Sequence, residues 1–269
     1  MNSEKLKVKK ARGLLTGKVN RRNFMLRALG SVSALFLAGC DKLSRTEGFV
    51  RVLESAEQLT YRAQRLVTAR NAMAKEFGEA DLSPVFRSNG TDNPDSPEYQ
   101  ALAANEFTNW RLEVTGLVEH PGSFSLAELH SLPARTQITR HDCVEGWSAI
   151  GKWKGVRLST LLERVKPLPN ARYVMFYCAD PMNEDGKKYY ESVDMEDAWH
   201  PQTILAYELN DKPLPIANGA PLRLRVERQL GYKHAKYLMK IELVESFEKI
   251  ADGNGGYWED EGYEWYAGI

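Results

Sequence analysis

The densest grouping of reactive side chains is Thr139-Arg140-His141-Asp142-Cys143-Val144-Glu145-Gly146-Trp147-Ser148, which brings a thiol, an imidazole, two carboxylates and a guanidinium together. Arg140 and His141 beside Cys143 would favour its thiolate. A thiolate is either a soft ligand for a transition metal or a nucleophile. The plainer reading is a strand edge carrying surface charges and a buried free cysteine. A histidine two residues before a cysteine shares a strand face with it, a placement that permits contact without identifying a thiol hydrolase. A second cluster runs from Asn218-Gly219-Ala220-Pro221 to Gly231-Tyr232-Lys233-His234-Ala235-Lys236. Its basic side chains are Arg223, Arg225, Arg228, Lys233, His234 and Lys236. The glycines allow close backbone approach and the cations suit a phosphate. The other reading is an exposed basic strand and turn. The cluster has neither the Walker spacing nor a GxGxxG fingerprint.

The chain that must position these groups has 269 residues, 36 Lys+Arg against 36 Asp+Glu, and three cysteines. Hydrophobic residues at 43% and charged residues at 27% describe a soluble globular protein. A net charge of zero argues against a nucleic-acid partner, which needs a basic surplus. The charge is unevenly spread. Residues 1–40 carry nine basic residues and one acid, leaving 27 basic against 35 acidic over 41–269. The leader has a basic start and a twelve-residue uncharged run, Ala28–Gly39. That run is shorter than the roughly 20 residues a transmembrane helix needs, so it reads as a secretory signal. Asn20-Arg21-Arg22-Asn23-Phe24-Met25-Leu26 resembles a twin-arginine export signal, and Leu37-Ala38-Gly39-Cys40 resembles a lipobox. Together they imply export in the folded state and a periplasmic-side location, with lipid on Cys40 making the membrane contact. Cys143 and Cys178 are then left to pair as a disulfide or to serve separately.

Beyond residues 1–40, a 41–80 segment contains a three- and four-residue apolar rhythm that predicts one long amphipathic helix over Phe49–Phe77. Ala80–Asn109, rich in Pro, Asn, Asp and Gly, reads as a long functional loop. Strands are expected at Trp110–Val118, Thr136–His141, Ala171–Cys178, Ile204–Leu209, Leu222–Glu227 and Tyr237–Val244. Short helices are expected after the Ser125 cap and over Ser159–Val165. Asn210-Asp211 reads as a tight turn between Ile204–Leu209 and Leu214–Ile216. Strands punctuated by short helices without βαβ alternation indicate an α+β class with mixed sheets. The tail, 249–269, is acidic and aromatic and is expected to pack back on the body.

Cys143-Val144-Glu145-Gly146-Trp147-Ser148, Trp153-Lys154-Gly155-Val156, Leu205-Ala206-Tyr207-Glu208-Leu209-Asn210, Asn218-Gly219-Ala220-Pro221-Leu222-Arg223 and Gly231-Tyr232-Lys233 together resemble the sulfite oxidase fold of molybdenum enzymes. The resemblance is greatest to the bacterial periplasmic branch that includes protein-methionine-sulfoxide reductase catalytic subunits. It implies an 81–248 domain binding molybdenum-molybdopterin, with Cys143 ligating the metal and Glu145 a carboxylate near it. Asn218, Arg223 and the segment His234-Ala235-Lys236 correspond to pterin and phosphate contacts. Arg87 and Ser88 align with another contact segment, in which Pro84 stands in place of an asparagine. Cys178 stands where the branch has a cofactor-contacting threonine. His141 and Arg140 are further catalytic candidates. The implied reaction is two-electron oxygen-atom transfer on a sulfoxide or related oxo-substrate, small or protein-bound. With no CxxCH haem motif in the sequence, the resemblance implies an external electron partner, a membrane cytochrome or quinone-linked subunit. The cysteine context lacks the following arginine-rich stretch of sulfite oxidases, which weighs against sulfite. The alternatives are a sulfite-oxidising enzyme of the same fold, a non-catalytic anchored lipoprotein scaffold, and a thiol enzyme acting through Cys143.

Overall fold

The computed structural model describes Ala56 and residues 59–183 and 186–269. The chain divides into two compact units, Met1–Leu59 and Thr60–Ile269. The second holds the strands and helices described below from Thr60 onward. The twin-arginine and lipobox motifs, and residues 49–55, 57 and 58 of the helix expected over Phe49–Phe77, lie outside the described residues. The described part of that helix corrects the expectation. Residues 59–67 are helical (α1), but 68–77 leave the helix. There Phe77 N–H donates to the Ile138 carbonyl at 2.9 Å and Glu76 bridges Thr139. The Gln202 side-chain amide bonds the Ala74 N–H (2.7 Å) and carbonyl (3.0 Å). The apolar rhythm continues, but the backbone groups are satisfied by distant partners, and tertiary bonds override the local preference.

The Ala80–Asn109 loop also contains a helix, α2 (Pro97–Ala104), capped by Ser96, whose hydroxyl accepts from Tyr99 N–H, with Pro97 in the first turn. Ser-Pro reads as a turn but is equally a cap followed by a proline at the first helical position. Strands β1 (Arg111–Gly116) and β2 (Gly122–Ser125) form a hairpin leading to α3 (Leu126–His130), closed by the expected Ser125–Glu128 capping box. β3 (Ala134–Cys143) and β4 (Trp147–Arg157) pair antiparallel, and α4 (Leu158–Val165) follows. Then come β5 (Tyr173–Pro181), β6 (Lys188–Asp194), α5 (Met195–Ala198), β7 (Ile204–Leu209) and β8 (Lys212–Pro213). β9 (Arg223–Arg225), β10 (Leu238–Val244) and α6 (Tyr257–Asp260) complete the described elements. β4 and β6 are not among the expected strands; both mix polar and apolar residues, and β4 carries Gly151 and Gly155. Asn210 and Asp211 both take positive φ, 52° and 61°, forming the expected two-residue turn. The returning strand is Lys212–Pro213; Ile216–Asn218 is a 3-10 turn.

Two five-stranded sheets result. One has the order β2-β1-β10-β5-β6, with β1 and β10 parallel and the other pairs antiparallel. The other runs β3-β4-β7-β8, with β9 also on β7. The main core draws Val114, Phe176 and Ile241 from the first sheet and Val156, Leu205, Tyr207 and Leu224 from the second, with Leu158, Leu161 and Leu162 of α4. Each such fully buried large apolar side chain contributes roughly 1.5–3 kcal/mol. Alternation sends Ile204 and Ala206 of β7 to the opposite face, where they meet Trp153, Leu209 and Leu214 under Phe86. That second face is the one that carries the polar site. Its sheet has a bulge at Lys154/Gly155, and a β-carbon on Gly155 would stand 2.1 Å from the Leu205 carbonyl oxygen of β7. Gly155→Ala is therefore expected to destabilise the fold by about 2–3 kcal/mol. A urea melt checks this, and wild-type stability in the variant would refute the close approach.

Candidate active site

Cys143 ends β3 and pairs with Trp147 across a three-residue loop. Gly146, at φ +84°, makes the left-handed step that closes this hairpin, and its N–H donates to the Cys143 carbonyl at 3.1 Å. The loop presents Val144 and Glu145 to solvent and leaves the Cys143 side chain half-buried. Glu145 is fixed from the side by the Trp147 indole, which donates to Oε2 at 2.8 Å. Cys143 and Glu145 lie on one wall of a cavity of about 170 Å³. Asn89, Gly90 and Thr91 form a second wall, and Asp180, Met182 and Tyr189 a third. Gly231, Tyr232, His234 and Lys236 close the far end, and Trp258 and Tyr263 of the tail complete it. The tail packs back as expected: Tyr257 is buried, and Tyr232 Oη donates to the Glu264 carbonyl at 2.6 Å.

Strand periodicity separates the residues of the first cluster. His141 and Cys143 share the face of β3 that Arg225 of β9 approaches, with Arg225 Nη1 3.0 Å from His141 Nδ1. Arg140 has the opposite parity; it is exposed and its Nε donates to Asp142 at 2.9 Å. The structure therefore does not bring Arg140 to the cavity. Nor does His141 act as a cation. Its ring is buried behind the cavity wall, and burial, then Arg223 and Arg225, push its pKa well below the usual imidazole range. The expectation that these two neighbours hold Cys143 as a thiolate is corrected. Burial pushes the Cys143 thiol up, aided by the Glu145 carboxylate. The Glu145 backbone N–H and the more distant Arg223 and Arg87 pull it down without prevailing. A metal ion would displace that proton directly. Cys143 and Cys178 are both free thiols, so no disulfide joins them.

The second cluster is not an exposed basic strand: all six of its basic side chains are buried, and they divide into two kinds. Arg225 is 2.6 Å from Glu227, Arg228 bonds Asp197, and Lys233 lies between Glu191 and Glu259. His234 is kept neutral, well below its usual pKa, by burial and by Arg225. Arg223 and Lys236 have no carboxylate partner within ion-pair distance among the described residues. Arg223 donates only to the Asn218 carbonyl (3.2 Å) and Asn89 Oδ1 (3.3 Å), under the Trp153 ring. The Lys236 ammonium is ringed by the carbonyls of Asn89 (2.7 Å), Thr91 (2.5 Å) and Ala217 (2.8 Å), with Ser88 Oγ at 3.3 Å. Burial, and then the charge of Arg225, push Arg223 down to about 9; burial, and then the charge of Arg223, push Lys236 down to about 7. Two buried cations without counter-charge are costly unless an anion completes them. Asn218 Nδ2, Arg223 Nε and His234 Nδ1 are also buried with no hydrogen-bond partner among the described residues.

The remaining sequence-derived candidates fall around this group. Ser88 donates to the Ala217 carbonyl at 2.6 Å, Arg87 lies 5.3 Å over the Trp147 ring, and Ala235 is buried in the core. Cys178 is buried in the core beneath the cavity, within electrostatic reach of Lys236. The sequence reading missed Asp180, Tyr189, Trp258 and Tyr263 as cavity residues. The aromatic tail signalled packing but not its destination, and a lone aspartate after a β-run carries no local signal.

No three His, Cys, Asp or Glu side chains converge as a metal site among the described residues. A metal at Cys143 would therefore need most of its ligands from an organic partner. A molybdenum ion on a pterin dithiolene with a terminal phosphate meets that description. The half-buried sulfur at the cavity wall, the two cations without an ion-pair partner and the three unpartnered polar atoms fit it. Over 248 residues the chain is 38% identical to a putative protein-methionine-sulfoxide reductase subunit YedZ1 of Azospira oryzae, covering 92% of this chain and 87% of that one. It is 39% identical over 175 residues to a protein-methionine-sulfoxide reductase catalytic subunit MsrP of Xanthomonas campestris, covering 62% of this chain and 54% of the relative. The chain thus spans about half the length of that catalytic subunit. A partial likeness, at TM-score 0.46 and 22% identity, exists to the sulfane dehydrogenase SoxCD of Paracoccus pantotrophus, covering 52% of this chain and 39% of that one. The model of the oxidoreductase molybdopterin-binding domain matches residues 99–250, more than half of the sequence. With its sheets, its cavity and its unneutralised cations in view, this chain belongs to that family of molybdopterin-binding oxidoreductases.

Proposed function

We propose that this protein reduces sulfoxides, with methionine sulfoxide in proteins as the substrate class, using molybdenum-molybdopterin held between Cys143 and the Arg223–Lys236 pair. The observation that carries the reading is the pair of buried cations without an ion-pair partner among the described residues, of which Lys236 lines the cavity that also holds the half-buried Cys143 thiol. When bound, the cofactor supplies two-electron oxygen-atom transfer. Cys143 serves as the protein's metal ligand, presented by the rigid β3–β4 hairpin. Glu145, held by Trp147 at the cavity mouth, faces the substrate and can hold or release a proton there. Arg223 and Lys236 take the phosphate, while Asn218 Nδ2 donates to the cofactor and His234 Nδ1 accepts from it. Ser88 and Arg87 secure the loop over the site. His141, buried behind Cys143, supports the ring of charges from below and is a positioning residue.

The relatives' names place them as subunits, which supports an electron-donating partner. We assign that role to a membrane cytochrome or quinone-linked protein. Export by the Arg21-Arg22 signal and lipid on Cys40 would hold the body beside it on the periplasmic side. No helix among the described residues is long and apolar enough to cross a membrane. The test is to purify the protein from a cofactor-competent host and measure molybdenum, pterin and turnover. Reduced viologen is supplied with methionine sulfoxide or N-oxides, and ferricyanide with sulfite. One metal per chain with sulfoxide turnover is expected. Metal-free protein supports a scaffold instead, and turnover confined to sulfite supports the oxidising alternative. Mass analysis of the mature N-terminus tests the acyl chain.

A further inference from the structure

Behind the cavity wall lies a group of buried ionisable side chains that the cofactor does not need. Lys233 Nζ is 2.5 Å from Glu191 Oε1 and also bonds Glu259 Oε1 of the tail helix α6. All three are almost wholly buried. Two carboxylates share one ammonium, so full ionisation would leave a net negative charge in a dry site. Glu259 Oε2 has no hydrogen-bond partner among the described residues, and Glu191 Oε1 accepts from Ser192 N–H at 2.7 Å. Among the described residues, Glu191 Oε2 has one hydrogen-bond partner, Tyr189 Oη, at 3.5 Å. Tyr189 Oη in turn donates to the Tyr232 carbonyl, and its ring lines the cavity that contains Cys143 and Glu145. The charged groups around this chain are therefore Lys233 and Glu259 on one side, and Asp180 and Lys236 across the cavity. Burial, and then the Glu259 charge, hold the Glu191 carboxyl well above its ordinary value, against the pull of Lys233. Glu191 is thus the carboxyl next to the tyrosine and the one whose protonated form this surrounding favours.

We propose that Tyr189, supplied by Glu191, delivers one of the two protons consumed when a sulfoxide is reduced at this cavity. The inference rests on the sulfoxide reading above. The sulfur–oxygen bond breaks, sulfur takes two electrons from the external reductant, and the oxygen leaves as water with two protons. Tyr189 Oη gives one proton into the cavity and receives the Glu191 proton in the same direction. The second proton enters from solvent on the Glu145 side. Once product leaves, water in the open cavity returns a proton to Tyr189 and so to Glu191. Tyr189 is the proton-delivering group at the wall; Glu191 acts through it.

The test uses the cofactor-loaded full chain with reduced viologen and methionine sulfoxide. Tyr189→Phe and Glu191→Gln are each expected to lower kcat about 10²-fold with KM little changed, and the double variant no further. A merely structural role for the triad would not change the solvent deuterium isotope effect on kcat; proton delivery requires that Tyr189→Phe change it. A second readout needs no turnover. The infrared spectrum of the folded protein at neutral pH should show the carbonyl stretch of a protonated carboxylic acid in wild type and Tyr189→Phe, lost in Glu191→Gln. A Tyr189→Phe kcat within about twofold of wild type, or a carboxylic-acid band unchanged in Glu191→Gln, overturns the proposal. Wild-type protein that carries cofactor but reduces no sulfoxide overturns the functional reading instead, and the band alone then decides whether Glu191 stores the proton.

Discussion

Replacing Cys143 with serine is expected to abolish molybdenum retention and lower sulfoxide turnover by at least about 10³-fold, roughly 4 kcal/mol of transition-state stabilisation. The change is nearly isosteric, and the hairpin carrying it is held by backbone bonds that serine keeps, including Gly146 N–H to the residue 143 carbonyl at 3.1 Å. The melting temperature of the cofactor-free protein should therefore move by no more than about 2 °C. The affected property is ligand softness: an alkoxide does not replace a thiolate for this metal, and a neutral hydroxyl donates little. Because no second set of metal-ligating side chains exists among the described residues, nothing nearby can substitute. Metal analysis with activity on the same preparation checks the expectation. A serine variant with wild-type metal content and turnover would remove Cys143 from the mechanism.

The second large effect concerns Lys236 and has a definite sign. In the cofactor-free protein its pKa falls from 10.5 to about 7, chiefly through burial and then Arg223. A base with a lowered folded value binds fewer protons folded than unfolded between those limits. Stability should therefore rise with pH from about 7 toward 10.5, and the cost of the buried charge is fully present below about 7. The shift corresponds to about 2–5 kcal/mol. Arg223, pushed down to about 9, adds in the same sense above that pH. Asp180, pushed up to about 6 by burial, acts in the opposite sense, only below that value. Lys236→Met should flatten the rise between about 7 and 9 and weaken cofactor retention about 10–100-fold, the worth of a charge-assisted hydrogen bond to phosphate. Loading the wild type with cofactor should also flatten the rise, because the phosphate keeps the ammonium protonated. Urea melts at several pH values, with and without cofactor, decide the matter. A cofactor-free protein whose stability is level from pH 7 to 9 would contradict the buried, unneutralised charge.

Much of the frame was legible because it depends on short-range rules. The Ser125–Glu128 capping box, the Asn210-Asp211 turn and the apolar runs at Ala171–Cys178 and Tyr237–Val244 are read from neighbours within a few residues, and all reappear as elements. The failures have physical causes. The helical rhythm of 49–77 could not reveal that Gln202 and β3 would claim the backbone of residues 74–77. Ser96-Pro97 announces a turn or a helix start with equal force, and only the burial of Tyr99 against Tyr237 selects the helix. Strand parity already separates Arg140 from His141 and Cys143, since alternate residues face opposite ways.

For the site, the sequence by itself determined the inventory: a thiol in a polar cluster at the end of a strand, a reversal of charge between Asn218 and Lys236, and the motifs that mark the family. It could not say which of six basic side chains carries an unanswered charge. Arg225 is neutralised by a neighbour two residues away, but Arg228 and Lys233 are neutralised by Asp197, Glu191 and Glu259, from 26 to 42 residues distant. Only the folded arrangement leaves Arg223 and Lys236 without carboxylates beside Cys143. The reason is that charge is a property of each residue, whereas neutralisation is a property of separation in space, and Coulomb energy in a dry interior depends on the second.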